Sequence, residues 1–182
     1  MRIRDTSWSK KEIKEAVRVL EKIAYCQVEK KPLPGEVFEA HVRSKENITT
    51  MLCLFNREKK VYLICRPTKK ENPTEPYPNY WHIPGVTHMK RERFRDTLRR
   101  LKRSEGLPFA RAFSVGFFEE RYSRRGMYLA QLFIAKKKGR AKNPRGKFFS
   151  FREIPWGKMI REEHTILRRA FEASRALFTH GT

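Results

Sequence analysis

Eight lysines and arginines fall within the fifteen residues from Lys90 to Ser104, accompanied by only two acids, Glu92 and Asp96. A second stretch holds Lys136, Lys137, Lys138, Arg140, Lys142, Arg145 and Lys147 with no acid, and Arg121, Arg124 and Arg125 cluster near a turn. Such stretches neutralise phosphates and release counterions, which gives salt-dependent nucleic-acid binding. Tyr122, Tyr128, Phe148 and Phe149 lie close by in sequence and offer rings on which bases stack. A merely solvated basic surface has the same composition, and core contacts at a strand end are the alternative for Phe148 and Phe149. Glu92, Asp96 and Arg100 are spaced i, i+4, i+8, so a continuous helix places them on one face, and acid-before-base order predicts an Asp96–Arg100 pair. His82 and His88, six residues apart across a turn, form no metal pattern. Cys26, Cys53 and Cys65 have no CxxC spacing and read as reduced, buried thiols. No spacing of Ser, His and Asp singles out a nucleophilic triad.

The elements that must position these residues are marked along the chain. Ser9 and Glu12 form a capping box, followed by Ile13, Ala16, Val17, Leu20, Ile23 and Ala24 at helical spacing. After Pro32 and Pro34 a short helix is predicted from Gly35 to Ser44. Ile48 to Phe55 and Lys60 to Arg66 read as strands joined by a polar turn, Asn56 to Lys59. Tyr80 to Gly85 reads as a short strand ending in a Pro-Gly turn. A basic helix is predicted from Lys90 to Ser104, with Gly106 and Pro108 ending it. Phe109 to Tyr122, Met127 to Lys136 and Phe148 to Arg152 read as strands. A last helix spans Glu162 to Phe178, with Ile166, Leu167, Ala170 and Phe171 inward. Strands flanked by helices on both sides predict an α/β/α sandwich around a mixed sheet.

The whole chain has 182 residues, 42 basic against 20 acidic, for a net charge of +22. Apolar residues make up 39%, with 13 Phe, enough for one packed core. The charge favours phosphate-bearing partners. Neither a spanning segment nor a signal-peptide stretch is present, so a soluble cytoplasmic protein with no membrane partner is expected. The oligomeric state is open.

From Gly85 the sequence reads GVTHMKRERFRDTLRRLKRSEGL. This resembles the Nudix box, whose pattern is Gly, five residues, Glu, seven residues, then Arg-Glu-U-x-Glu-Glu-x-Gly-U with U apolar. Laid on without gaps, five framework positions match: Gly85, Arg99, Leu101, Gly106 and Leu107. The Pro-Leu-Pro-Gly-Glu-Val-Phe entry, the strand ending at Arg66, Trp81 to Gly85 and the Phe151 to Pro155 segment are also placed as in Nudix domains. The layout is similar to the branch that includes GDP-mannose hydrolases, over roughly residues 33 to 178. The resemblance implies a Nudix-like domain over residues 33–182 preceded by an N-terminal helical extension, 1–32.

The departures from the pattern bear on chemistry. Arg91, Arg100, Arg103 and Ser104 stand where the family has glutamates. In Nudix enzymes those acids hold Mg²⁺ or Mn²⁺, and hard divalent cations need oxygen ligands. No metal cofactor is therefore expected. Guanidinium forks bind phosphate oxygens directly, so Arg91, Arg100 and Arg103, with Arg66 and Trp81, form the candidate ligand site. Each has a plain alternative: the arginines solvate a helix, and Trp81 packs beside the sheet. The expected role is non-hydrolytic binding of a nucleoside-diphosphate-type ligand or RNA. The competing reading is an active metal-dependent hydrolase with relocated carboxylates drawn from Glu92, Glu119, Glu120 and Glu163.

Overall fold

The computed structural model describes residues 7–44, 47–123 and 126–179, with the side chains of 120–126 left out of the description. Helices α1 (Lys10–Val28) and α2 (Gly35–Arg43) precede strands β1 (Asn47–Phe55) and β2 (Val61–Cys65). Then follow β3 (Trp81–His82), β4 (Gly85–Thr87), α3 (Phe94–Ser104), β5 (Phe109–Ser123), β6 (Gly126–Lys137), β7 (Gly146–Phe149) and α4 (Glu163–Thr179).

Among the described residues seven strands form one mixed sheet in the order β3-β2-β1-β6-β5, with β4 added to β1 and β7 to β2. β1 is buried at every position but Ile48, as its unbroken apolar run requires of a strand covered on both faces. It runs parallel to β6 from Asn47 opposite Tyr128 to Phe55 opposite Lys136. It pairs antiparallel with β2, across a turn in which the Asn56 side chain accepts from the Lys60 N–H at 2.9 Å. One sheet face packs Met51, Cys53, Phe55 and Leu132 against Ile166, Leu167 and Ala170 of α4. The other packs Leu52, Leu54 and Tyr62 against Leu101 of α3 and Leu107 just beyond it. The α/β/α sandwich is thus built from the alternation along β1, and it is the expected one. No helix among the described residues is long and apolar enough to cross a membrane.

Local details add to what the spacing predicts and in three places correct it. The capping box of α1 forms, with Ser9 N–H donating to Glu12 at 2.8 Å, but its apolar stripe does not face the core. Ile13 and Val17 are each 49% exposed and Leu20 59%, while Ile23 alone is buried. The helix approaches the sandwich through its last turns, where Gln27 bonds His41 of α2. The basic helix begins at Phe94 rather than Lys90, because Arg91 takes a left-handed conformation (φ 62°) that no helix continues through. Tyr80 to Gly85 is two elements: β3 joins β2, and β4 turns away to pair with β1. β7 starts two residues early and stops at Phe149, because Ser150 and Glu153 close a turn on each other, Ser150 N–H to the Glu153 carboxylate at 2.9 Å.

Gly146 sits against the ring of Tyr62, whose hydroxyl donates to the Asn143 carbonyl at 3.0 Å, and a Cβ at position 146 would overlap that ring. Gly146→Ala should therefore lower stability by about 2 kcal/mol, in the overpacking range, measured by urea unfolding. An unchanged midpoint would mean that Tyr62 is not held there.

Candidate functional site

The segment from Gly85 to Leu107 is a short strand, a turn and a helix, closed by one buried ion pair. Glu92 lies in the turn before α3 and its side chain is 4% exposed. Arg100 grips it with both arms of the guanidinium, Nε to Oε1 at 2.9 Å and Nη2 to Oε2 at 2.8 Å. Nη2 also donates to the Thr87 carbonyl on β4 at 2.7 Å, and the Met89 N–H donates to Glu92 Oε2 at 3.0 Å. Burial opposes the charged form of Glu92. The Arg100 fork, the Met89 N–H and the Thr97 hydroxyl outweigh it and hold the carboxyl at about 2. Asp96 consequently does not meet Arg100, and pairs instead with Arg99 at 3.1 Å on the exposed face. Beside this clamp His88 shares a hydrogen bond with Thr50 at 2.8 Å and lies edge-on to Phe94. Burial lowers the His88 pKa, Glu92 pulls it up and Arg100 down.

The C-terminal end of α3 borders a cavity of about 670 Å³. Its walls come from Arg103 to Gly106, the end of β2 at Cys65 and Arg66, His82, Glu75, and the segment Lys142 to Arg145. Gly106 brings these walls together. It ends the helix at φ 60°, its carbonyl accepts from the Lys142 N–H at 3.1 Å, and a Cβ there would stand 2.8 Å from Lys142 Cβ. Arg103 and Lys142 reach the cavity with no side-chain hydrogen bond or ion pair among the described residues. The other charges are committed. Arg66 forms a fork on the buried Glu75 (2.9 and 2.6 Å), which also accepts from the Tyr77 N–H. Arg145 pairs with Glu71 at 2.7 Å, and Glu105 accepts from the Asn143 amide at 2.7 Å.

The expected residues divide accordingly. Arg103, Arg66, Lys142 and Arg145 share the cavity. Arg91 is exposed on the turn, and Arg100 borders a different cavity, under α1 and α2. Trp81 packs edge-to-face on Phe149, ring centroids 4.8 Å apart, as part of the core. Of the framework residues, Gly85 begins β4 and lines the cavity, Leu101 and Leu107 are buried, and Arg99 is exposed. Glu163 is buried and accepts from the Ile83 N–H at 2.6 Å; Glu119 is on the edge strand β5. The side chains of Glu120, Arg121 and Tyr122, and Arg124 and Arg125 altogether, lie outside the described residues. The basic stretch is placed in several surroundings: Lys136 lies over Phe178, Lys137 over Phe148 and Lys147 over Phe149, Lys138 and Arg140 are exposed, and Lys142 and Arg145 turn to the cavity. Glu75, which fixes Arg66, had no signal in the sequence beyond being an acid in a Pro-rich loop.

Among the described residues no three His, Cys, Asp or Glu side chains are grouped to hold a metal ion. Both oxygens of Glu92 are taken by a guanidinium, and arginines occupy the neighbouring box positions. This donor set does not fit a hard divalent cation.

No family model and no curated protein matches the sequence. Solved structures do resemble the fold. The NUDIX domain of Shewanella oneidensis NrtR, complexed with ADP ribose, aligns with a TM-score of 0.58 at 16% identity, over 71% of this chain and 88% of that one. A mutT/nudix family protein from Listeria innocua aligns at 0.59 and 18%, over 74% and 98%. The MutT protein from Methanosarcina mazei Go1 aligns at 0.58 and 15%, over 71% and 95%. The fold is the Nudix fold.

Glu92→Gln should cost roughly 2–3 kcal/mol, since it leaves a largely buried guanidinium without its charge partner. It should also flatten the acid limb of stability. The Glu92 carboxyl is depressed from 4.5 to about 2, so its contribution is complete above pH 4.5 and is lost as pH falls toward 2. Urea midpoints of the two proteins measured from pH 6 to pH 2 should converge; parallel curves would show that the pair does not carry this linkage.

Proposed function

We propose that this Nudix-fold chain binds a nucleoside-diphosphate-type ligand without hydrolysing it, its diphosphate held by cationic side chains in place of a metal ion. The observation that carries the reading is Arg103. It stands at a box position where the resemblance places a metal-binding glutamate, reaches the cavity with no side-chain partner among the described residues, and faces it together with Lys142. A guanidinium fork and an ammonium supply charge-assisted hydrogen bonds to phosphate oxygens, each worth about 1.5–3 kcal/mol. Arg66 and Arg145 on the same wall are matched by Glu75 and Glu71, so Arg103 and Lys142 are the cations left to meet a phosphate. The ADP ribose in the NrtR complex is a diphosphate of this class, bound by the same fold.

Charge neutralisation alone does not cleave a diphosphate; a nucleophile must be generated as well. Two of the carboxylates that a relocated site would draw on are engaged elsewhere, Glu92 with Arg100 and Glu163 with the Ile83 N–H. This supports a binding module over a hydrolase. Residues 33–182 are the module in this reading, and 1–32 an extension that adds α1 at one side. Burial raises the Cys53 thiol, and it raises Cys65 as well, which suits a reducing cytoplasmic setting.

Calorimetric titration with ADP-ribose in EDTA tests the proposal. Binding is expected without metal, and the double change Arg103→Glu with Lys142→Glu should weaken it at least about tenfold. Phosphorus NMR of ADP-ribose incubated with the protein and Mg²⁺ or Mn²⁺ should show no new phosphate signals. Metal-dependent cleavage that Glu92→Gln abolishes would establish the hydrolase instead.

A further inference from the structure

We infer that the surface running along α4, on the sheet face opposite the box helix, binds single-stranded nucleic acid. Two grooves flank the C-terminal half of this helix. The first, about 680 Å³, has Phe151, Phe171 and Phe178 with Lys59, Arg168 and Arg175 on its walls. The second, about 930 Å³, has Phe113, Ile134 and Leu177 with Arg111, Lys136 and Lys138. They meet at Phe178, whose ring carries the Lys59 ammonium at 5.9 Å and the Lys136 ammonium at 5.1 Å. The two grooves are therefore two stretches of one path.

The charge of that path is one-sided. Among the described residues, seven lysines and arginines line it with one carboxylate, Glu172, with which Arg169 pairs at 2.9 Å. The cations are also spread out: Arg168 and Arg175, two helical turns apart, are about 10 Å from each other along the axis. A compact anion would use one or two of them; a chain of phosphates uses all. The apolar part is aromatic at the places a ligand reaches first, with Phe113 52% and Phe151 39% exposed. Arg168 lies over Phe151 at 5.7 Å and over Trp156 at 4.9 Å, a guanidinium already stacked on rings. Rings beside a cationic track are how bases and backbone are held together, and only unpaired bases present a free face to them. A single strand satisfies both halves of the surface. A duplex leaves the rings uncovered, and an acidic peptide leaves them without flat partners. The path shares no lining residue with the cavity beside Arg103, so the two sites stand or fall separately.

Fluorescence anisotropy with a 5′-fluorescein dodecamer of uridylate tests this on the full chain. Affinity should fall with salt at a log–log slope of about −2 to −3, as for three or four phosphates on a single strand. Lys59→Glu with Arg175→Glu should weaken binding more than about tenfold, and Phe113→Ala about tenfold, the effect of losing one stacked base. All three positions are exposed, and thermal melts should confirm that the variants fold. Arg103→Glu with Lys142→Glu should leave uridylate binding within about twofold of the parent. If ADP-ribose fails to bind while uridylate binding responds to these changes, the groove stands and the phosphate cavity does not. Any of the following overturns the inference: a flat salt response, no effect of the α4-side changes, displacement of the dodecamer by saturating ADP-ribose, or equal affinity for a duplex of the same length. So does tighter binding of a Glu/Leu amphipathic peptide, or of phosphatidylserine vesicles, that the same changes abolish.

Discussion

A single guanidinium holds the site together. Arg100 reaches from the middle of α3 to the Thr87 carbonyl on β4 and to both oxygens of Glu92 in the turn between them. Three segments that would otherwise be joined only through flexible backbone are tied by one planar, permanently charged group. The charge is supplied from within the chain, and its partner carboxylate is buried with it. The turn is thereby ordered by a contact between two side chains of the chain itself. Opening it would expose two charges that are matched only to each other.

What the clamp leaves over is the far end of the helix. With Arg100 turned toward β4 and Arg99 toward solvent, Arg103 is the box arginine that reaches the cavity. The loop opposite is fastened by backbone: Gly106 to Lys142, and Pro108 to Lys138 with its carbonyl accepting at 2.6 Å. Arg103 and Lys142 are therefore positioned by main-chain geometry, in contrast to Arg66 and Arg145, which are held by ion pairs. Cations are laid over phenylalanine rings on both faces of the sheet, Lys102 and Lys137 on the α3 side and Lys59 and Lys136 on the α4 side.

The parts of this arrangement that were legible in the sequence are those set by local rules. The Ser9–Glu12 cap, the turn at Asn56, the inward stripe of α4 and the ends of the box helix at Leu101, Gly106 and Leu107 each follow from spacing within a few residues. The Glu92–Arg100 pair was not legible. Lys90 to Arg93 are adequate helix formers with no breaker among them, so propensity extends the helix four residues too far. What stops it is the left-handed turn at Arg91, beside which Arg100 binds Glu92 and the Thr87 carbonyl in a contact between elements. Periodicity likewise identified the apolar stripe of α1 but not whether anything covers it. Glu75 was out of reach for a third reason: the irregular loop that carries it has no period, and its meaning depends on where Arg66 arrives.

The parallel pairing of β1 with β6 has a kinetic consequence. Asn47 and Tyr128 are hydrogen-bonding neighbours in the sheet, yet the whole box segment and the first arm of the β5–β6 hairpin lie between them in the chain. A long loop must close before those contacts begin to stabilise anything, which makes such pairings slow steps in folding. The wall that carries Lys142 follows β6 directly, so it arrives only when that loop has closed. Early collapsed forms of the chain would have the basic helix but no chamber beside it. The cavity beside Arg103 is therefore complete only in molecules that have made their longest-range contact.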